Sequence, residues 1–283
     1  MARKAKANDD ADIDKSARKK SARRAAKSAA GREKSSERPD GRTAAVPTPV
    51  ASPSLSQSDA AAVELAARRA IIETARAMSA TGLSPGRSGN VSCRWGAGML
   101  ITPSGMAYDL LTPSDIVFVG AGGEVPAKSR KPSSEWRFHL AAYVARPDRG
   151  AVVHTHSLHA TVLACAHQKI PAFHYMVAVA GGTDIPLVPY ATFGTEELSK
   201  HVAKGLAKRD ACLMANHGQI AIGKTLSQAL ELAAEVEVLA EQYVKVLSLG
   251  KPKLLGKSEM AEVLARFATY GQKAQDAETA ELD

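Results

Sequence analysis

Three histidines fall within six positions of the segment AVVHTHSLHA, residues 151–160: His154, His156 and His159. Residues i and i+2 of a strand point to the same side, so His154 and His156 can converge on one point. Two imidazoles joined by a third nitrogen or oxygen donor suit a zinc-type centre, but a lone His-x-His is equally a polar strand end, and the metal reading needs further ligands. His217, in MANHGQ beside a glycine, is the candidate third ligand, because turns at strand ends often carry functional side chains. Glu135 is the candidate fourth. It opens a segment with helical signals, where a carboxylate also gains from the helix dipole alone. His159, one turn into the following segment, is read as structural. So is His174; His139, four residues after Glu135 on the same helix face, could orient that glutamate, but a packing or hydrogen-bonding role is the simpler account.

The serines and glycines add a second chemistry. Ser133 and Ser134 stand at a helix start, where free N–H groups receive anions. SGN (88–90, with Gly89 and Asn90) and TPSG (102–105, with Ser104 and Gly105) are two further loops suited to an anion. Each alone is also an ordinary turn. Three such loops and one possible metal cluster in a single chain make a functional site the reading to pursue.

Strands and helices must alternate to bring these groups together. Ser58-Asp59 is an N-cap signal before AAAVELAARRAIIETARAM, whose apolar residues recur at helical spacing. TGLSPGRSGNVS then breaks the helix, and NVSCRW, GMLIT and DIVFV are short strand-like runs. PSSEWRFHLAAYVA is expected to be a helix with Pro132 and Ser133 at its start. GAVVHTH is strand-like, SLHATVLACAHQ helical, DIPLVPY extended and TEELSKHVAKGLAKR helical. ACLMANHGQIAIG suggests two strands around a turn, followed by a long amphipathic helix, LSQALELAAEVEVLAEQYVKVLSL, and a last helix, EMAEVLARFATYG. Interleaved elements around one core predict a single α/β domain over residues 59–283.

Residues 1–58 differ in kind. Fourteen Lys and Arg stand there against seven Asp and Glu, so of the formal net charge of +8 all but +1 belongs to this tail. Lacking aromatic and nearly all aliphatic side chains, it cannot offset the entropy of ordering and is expected to be a disordered basic tail. Its charge alone could touch nucleic acid or an acidic membrane, but a solvated tail with no specific partner is the simpler account. The body is nearly neutral, which argues against nucleic-acid binding by the fold. Three widely spaced cysteines form neither a disulfide framework nor a metal motif, and no run suits a membrane span or secretory signal, so a cytoplasmic location is expected.

The ordered series GNVS, LITPSG, PSSEWRFHLAAY, AVVHTHSLH, IPAFHYMVAVAGG, PYATFGT, NHG and EVEVLAEQY, between residues 89 and 243, resembles the class II aldolase/adducin family. The resemblance covers about residues 60–271. It implies a three-layer α/β/α sandwich with a largely antiparallel central sheet, assembled as a homotetramer with inter-subunit active sites. It also implies one Zn2+ per subunit held by His154, His156, His217 and Glu135, with Glu135 doubling as catalytic base. Gly89, Asn90, Ser104, Gly105, Ser133 and Ser134 would bind a substrate phosphate. Tyr175 would act as an acid from a neighbouring subunit, and Phe193 and Tyr270 would shape the aldehyde side. The implied reaction is reversible cleavage of a phosphorylated sugar, L-fuculose 1-phosphate or a related deoxy- or methylthio-ketose 1-phosphate, to dihydroxyacetone phosphate and an aldehyde. Methylthioribulose-1-phosphate dehydratase and ribulose-phosphate 4-epimerase are the alternatives within the family; a non-catalytic, adducin-like module would be expected to lose its ligands. Arg87, in GRSGN, replaces a threonine of the family's phosphate loop and could add a charged contact to phosphate or point to solvent.

Overall fold

The computed structural model describes residues 56–268. Apart from its last three positions the tail read as 1–58 lies outside the described residues, as does Tyr270. Helix α1 (Gln57–Ala80) is capped by Ser56, whose Oγ accepts the Asp59 N–H at 3.2 Å. The Ser58-Asp59 pair expected as the cap therefore sits inside the first turn, where Asp59 meets the positive end of the helix.

Seven strands follow: β1 (Asn90–Trp95), β2 (Gly98–Ile101), β3 (Val117–Val119), β4 (Ala151–Thr155), β5 (Leu187–Val188), β6 (Ala211–Met214) and β7 (Gly218–Gly223). They form one sheet in the order β3-β2-β1-β4-β7-β6-β5, antiparallel throughout except for the parallel β5–β6 pair. The extended run DIPLVPY contributes only two strand residues, because Pro186 and Pro189 flank them and proline has no N–H for a ladder.

The sheet is covered on both faces. Helices α3 (Leu158–Cys165) and α5 (Leu226–Leu249) lie with α1 on one side, and α2 (Trp136–Ala145) and α4 (Glu196–Leu206) on the other. Side chains divide by the period of two that a strand dictates. Val91, Leu100, Val153, Leu213 and Ala221 enter the first layer, and Met99, Ile101, Val152, Met214 and Ile222 the second. This is the expected α/β/α sandwich. Helix α6 (Lys257–Phe267) packs through Met260 on Ala172 and Ala178.

One helix boundary differs from expectation in a way that matters for the site. Helix α2 begins at Trp136, not at Pro132. The Ser133 N–H donates to Thr102 O at 3.1 Å and the Ser104 N–H to Lys131 O at 3.0 Å, so residues 131–133 are spent pairing with the TPSG loop. The helix starts only where that pairing stops, leaving Glu135 as its N-cap residue.

Candidate active site

The antiparallel pairing of β4 and β7 sets Thr155 opposite Gln219 and His154 opposite Ile220, so the end of β4 lies beside the turn that opens β7. His154 ends up on the α2 side of the sheet, and His156, one residue beyond the strand, faces the same way. Their Nε2 atoms are 3.0 Å apart. His217 occupies the β6–β7 turn, closed by its own N–H to Met214 O at 3.1 Å. Asn216 before it has a left-handed φ of 53°, a conformation asparagine tolerates better than most residues. Gly218 after it must be small: a Cβ there would strike the Thr155 carbonyl and come within 3.0 Å of the His156 ring.

Glu135 completes the group from the head of α2. Its Oε1 is 2.9 Å from His217 Nε2 and its Oε2 3.3 Å from His154 Nε2. Donor atoms of Glu135, His154, His156 and His217 all lie within 4.8 Å of one another. Tetrahedral coordination with bonds of about 2.0–2.1 Å separates neighbouring ligand atoms by about 3.3 Å, close to these spacings. His154 Nδ1 lies 2.7 Å from Gln219 O. A carbonyl can only accept, so Nδ1 carries a proton there and Nε2 is the ring atom turned toward the Glu135 carboxylate. The residues present therefore fit a metal ion.

Electrostatics agree. Burial alone would raise the Glu135 pKa, but the His154 and His217 imidazoles, by charge and hydrogen bond, outweigh it and hold the carboxyl well below the usual carboxylate range. Burial first, and then the neighbouring His154 and His217, push His156 down to about 3, leaving its ring neutral. A carboxylate and neutral imidazole are the ligand forms a metal takes.

The cluster floors a cleft of about 540 Å3, within the size range of small-molecule sites. All three serine- and glycine-bearing loops reach it, through Ser88, through Ser104 and Gly105, and through Ser134. Arg87 also lines it and donates to Gly105 O at 2.9 Å, tying the first loop to the second. Phe193 and Tyr190, both more than half exposed, also line it, with Ala191. A cavity of about 630 Å3 beyond β5, beside His201 and Lys204, lies away from the His/Glu cluster.

Residues 69–244 match the family model described as Class II Aldolase and Adducin N-terminal domain. The chain belongs to the class II aldolase and adducin family. It is 54% identical over 211 residues to the 5-methylthioribulose-1-phosphate/5-deoxyribulose-1-phosphate aldolase of Rhodospirillum rubrum, covering 75% of this chain and 95% of that one. It is 50% identical over 209 residues to the L-fuculose phosphate aldolase of Escherichia coli K12, covering 74% and 97%. A solved structure of an L-fuculose 1-phosphate aldolase superposes with a TM-score of 0.69 at 38% identity, over 72% of this chain and 96% of that one. The family resemblance drawn from the motifs is borne out.

Within this class II aldolase fold the expected site residues separate into two groups. Ser104, Gly105, Ser134 and Phe193 face the cleft with His156, His217 and Glu135. Gly89, Asn90 and Ser133 lie behind it. Gly89 passes so close to β4 that a Cβ would meet His154 O at 2.7 Å. The buried Asn90 amide donates to Glu135 Oε2 at 2.8 Å, and the Ser133 hydroxyl accepts the Glu135 N–H at 3.3 Å. Tyr175 opens a 3-10 helix (Tyr175–Ala180), stacked on His174 and half exposed, and is not among the residues lining the cleft of its own chain.

The three histidines read as structural have structural partners. His159 and the Ala160 N–H meet the carboxylate of Glu237, which caps α3 from α5, at 2.9 Å each. His174 Nδ1 accepts the Met176 N–H at 3.2 Å. His139 Nε2 lies 2.5 Å from Asn90 Oδ1. Tyr190 and Asn216 also line the cleft without being among the expected site residues, although they fall within PYATFGT and NHG. Among the described residues no helix is long and apolar enough to cross a membrane.

Proposed function

We propose that this chain is a zinc-dependent aldolase that reversibly cleaves the C3–C4 bond of a ketose 1-phosphate to dihydroxyacetone phosphate and an aldehyde. The observation that carries the reading is the convergence of four ligand atoms within 4.8 Å at the floor of a cleft ringed by three anion-competent loops. His154, His156, His217 and Glu135 would hold the ion. Zinc bound there supplies Lewis acidity to the ketose carbonyl.

The protein's own groups account for the remaining chemistry. Ser104, Gly105, Ser134 and Arg87 receive the phosphate, which positions the sugar at a distance from the reacting carbons. Asn90 and Ser133 hold Glu135 from behind. Glu135, ionised in the free enzyme, is the group that moves the proton at C3. Tyr175 of a second copy, in a homotetramer with shared sites, gives its proton to the aldehyde oxygen in the condensation direction and, as phenolate, takes it back from the C4 hydroxyl in cleavage, and Phe193 and Tyr190 contact the departing aldehyde. The weakly polar wall at Phe193 and Tyr190 suits a deoxy or methylthio terminus, matching the substrates in the names of the R. rubrum and E. coli relatives. Three free cysteines fit action in the cytoplasm.

The test is a retro-aldol assay on the purified, zinc-loaded protein with L-fuculose, L-rhamnulose, 5-deoxyribulose and methylthioribulose 1-phosphates. Release of dihydroxyacetone phosphate that a chelator abolishes is expected, and the ranking of rates names the aldehyde. No release from any of the four, with one metal bound per chain, would overturn the reading.

A further inference from the structure

Behind Glu135 a hydrogen-bonded chain runs away from the cleft, between β1 and α2. Asn90 Nδ2 donates to Glu135 Oε2 at 2.8 Å; His139 Nε2 is 2.5 Å from Asn90 Oδ1; His139 Nδ1 is 2.7 Å from Ser92 Oγ; and Ser92 Oγ is 2.9 Å from the Tyr143 hydroxyl. All five residues are buried, with Ser92 and His139 fully so.

The direction of every proton in this chain follows from its first member. A carboxylate only accepts, so the Asn90 amide must turn its NH2 to Glu135 and its oxygen to His139. That oxygen requires a proton on His139 Nε2. Burial lowers the pKa of His139 to about 3, so the ring is neutral and Nδ1 is bare. Ser92 must then give its one proton to Nδ1, and the Tyr143 hydroxyl must donate to Ser92. Tyr143 can do so at any physiological pH, since burial raises its pKa. Apolar side chains of the same shape could fill this space at little or no loss of stability. A polar chain that ends on the site's one carboxylate has a use beyond packing.

We infer that Ser92, His139 and Tyr143 are positioning residues that lock the Asn90 amide with its NH2 toward Glu135. Without them the amide is free to flip, setting oxygen against carboxylate and releasing Glu135 from the orientation its role requires. The inference rests on Glu135 acting as proposed above.

The test uses the full chain with conservative variants, read by kcat, KM and metal affinity in a chelator competition. Ser92→Ala is expected to lower kcat about tenfold and weaken metal binding about tenfold, as loss of a ligand's supporting hydrogen bonds does, with KM changed less than about twofold. Tyr143→Phe should cost less, because Ser92 keeps its proton for His139. In an Asn90→Ala background Ser92→Ala should add less than about twofold, since the chain acts only through that amide. His139→Gln, whose terminal amide can replace Nε2–H, should stay within about threefold of wild type, whereas His139→Leu loses about tenfold or more. Equal losses in Gln and Leu, or an undiminished Ser92→Ala effect in the Asn90→Ala background, would overturn the inference. If the wild type cleaves none of the four ketose phosphates, the aldolase reading fails, and the metal-affinity pattern across the same variants decides the chain by itself.

Discussion

His154 gives its Nδ1 proton to the main-chain carbonyl of Gln219, its diagonal neighbour across the β4–β7 ladder, at 2.7 Å. The ring is held in one tautomer by backbone rather than by a side chain that could be substituted. The remaining ligands lack such an anchor, and they are where the centre is most open to mutation.

His156→Ala and His217→Ala are expected to weaken metal binding by at least about a hundredfold, since each removes a ligand outright and loss of a ligand's mere supporting bond already costs 10–100-fold. Glu135→Gln keeps the shape but not the charge, and kcat should fall by about 10²–10⁴. Metal analysis after gel filtration, alongside dihydroxyacetone phosphate release, separates the two effects. Full turnover in His156→Ala would sink the assignment.

Metal removal should also show in stability. An ion present at 100 times its Kd adds about 2.7 kcal/mol to the folded state, and for a domain of this size that is about 5–10 °C in Tm. Calorimetry with and without a chelator measures it; an unchanged transition would mean the cluster holds no ion.

Stability should fall on the acid side for a reason that can be traced to His139. In the unfolded chain this histidine takes a proton near its ordinary pKa of 6.5, whereas burial delays protonation in the fold to about 3. Between those values the unfolded state binds more protons, so the contribution of His139 weakens stability as pH drops, by about 1.4 kcal/mol for each pH unit. Urea unfolding of the metal-free protein from pH 7 to 4 should show a shallower decline in His139→Gln. Parallel curves for wild type and variant would contradict this.

Arg87→Ala should raise KM for a phosphorylated ketose about tenfold, the lower end of a charge-assisted contact's 1.5–3 kcal/mol, with kcat within about twofold. That pattern marks binding shared by ground and transition states. Steady-state kinetics at two salt concentrations would check it, because an unaltered KM places the guanidinium in solvent.

Gly218→Ala looks mild in sequence, but the Cβ has only the Thr155 carbonyl and the His156 ring to meet. A cost of about 1–3 kcal/mol in denaturant stability is expected from such crowding, with a loss of metal affinity out of proportion to it. A variant with native affinity would show that the turn can give way.

Much of the centre was legible because it is written in short spacings. The i, i+2 pair His154 and His156, the NHG turn and the three serine- and glycine-bearing loops need only strand periodicity and turn chemistry to be seen. What escaped depends on which strands are neighbours. Asn90 and Ser92 share one face of β1, and Glu135, His139 and Tyr143 recur every four residues along α2, so both halves of the buried chain carried a periodic signal. Nothing local said that β1 would lie under α2. The start of α2 differs for a similar reason: Pro132 and Ser133 are good helix openers in isolation, but the backbone of Lys131 and Ser133 is engaged by Ser104 and Thr102, some thirty residues earlier.

Gln219 has one further consequence. Its carbonyl holds a metal ligand on one face of the sheet, while its side-chain amide, on the other, donates to Ser157 Oγ at 2.8 Å and Ala233 O at 2.9 Å. A substitution along the inward face of α5 that nudges Ala233 would therefore be transmitted to His154 through a single peptide unit. Selection acting on this helical layer would thus reach His154, and with it any ion the cluster holds, without altering a residue that lines the cleft.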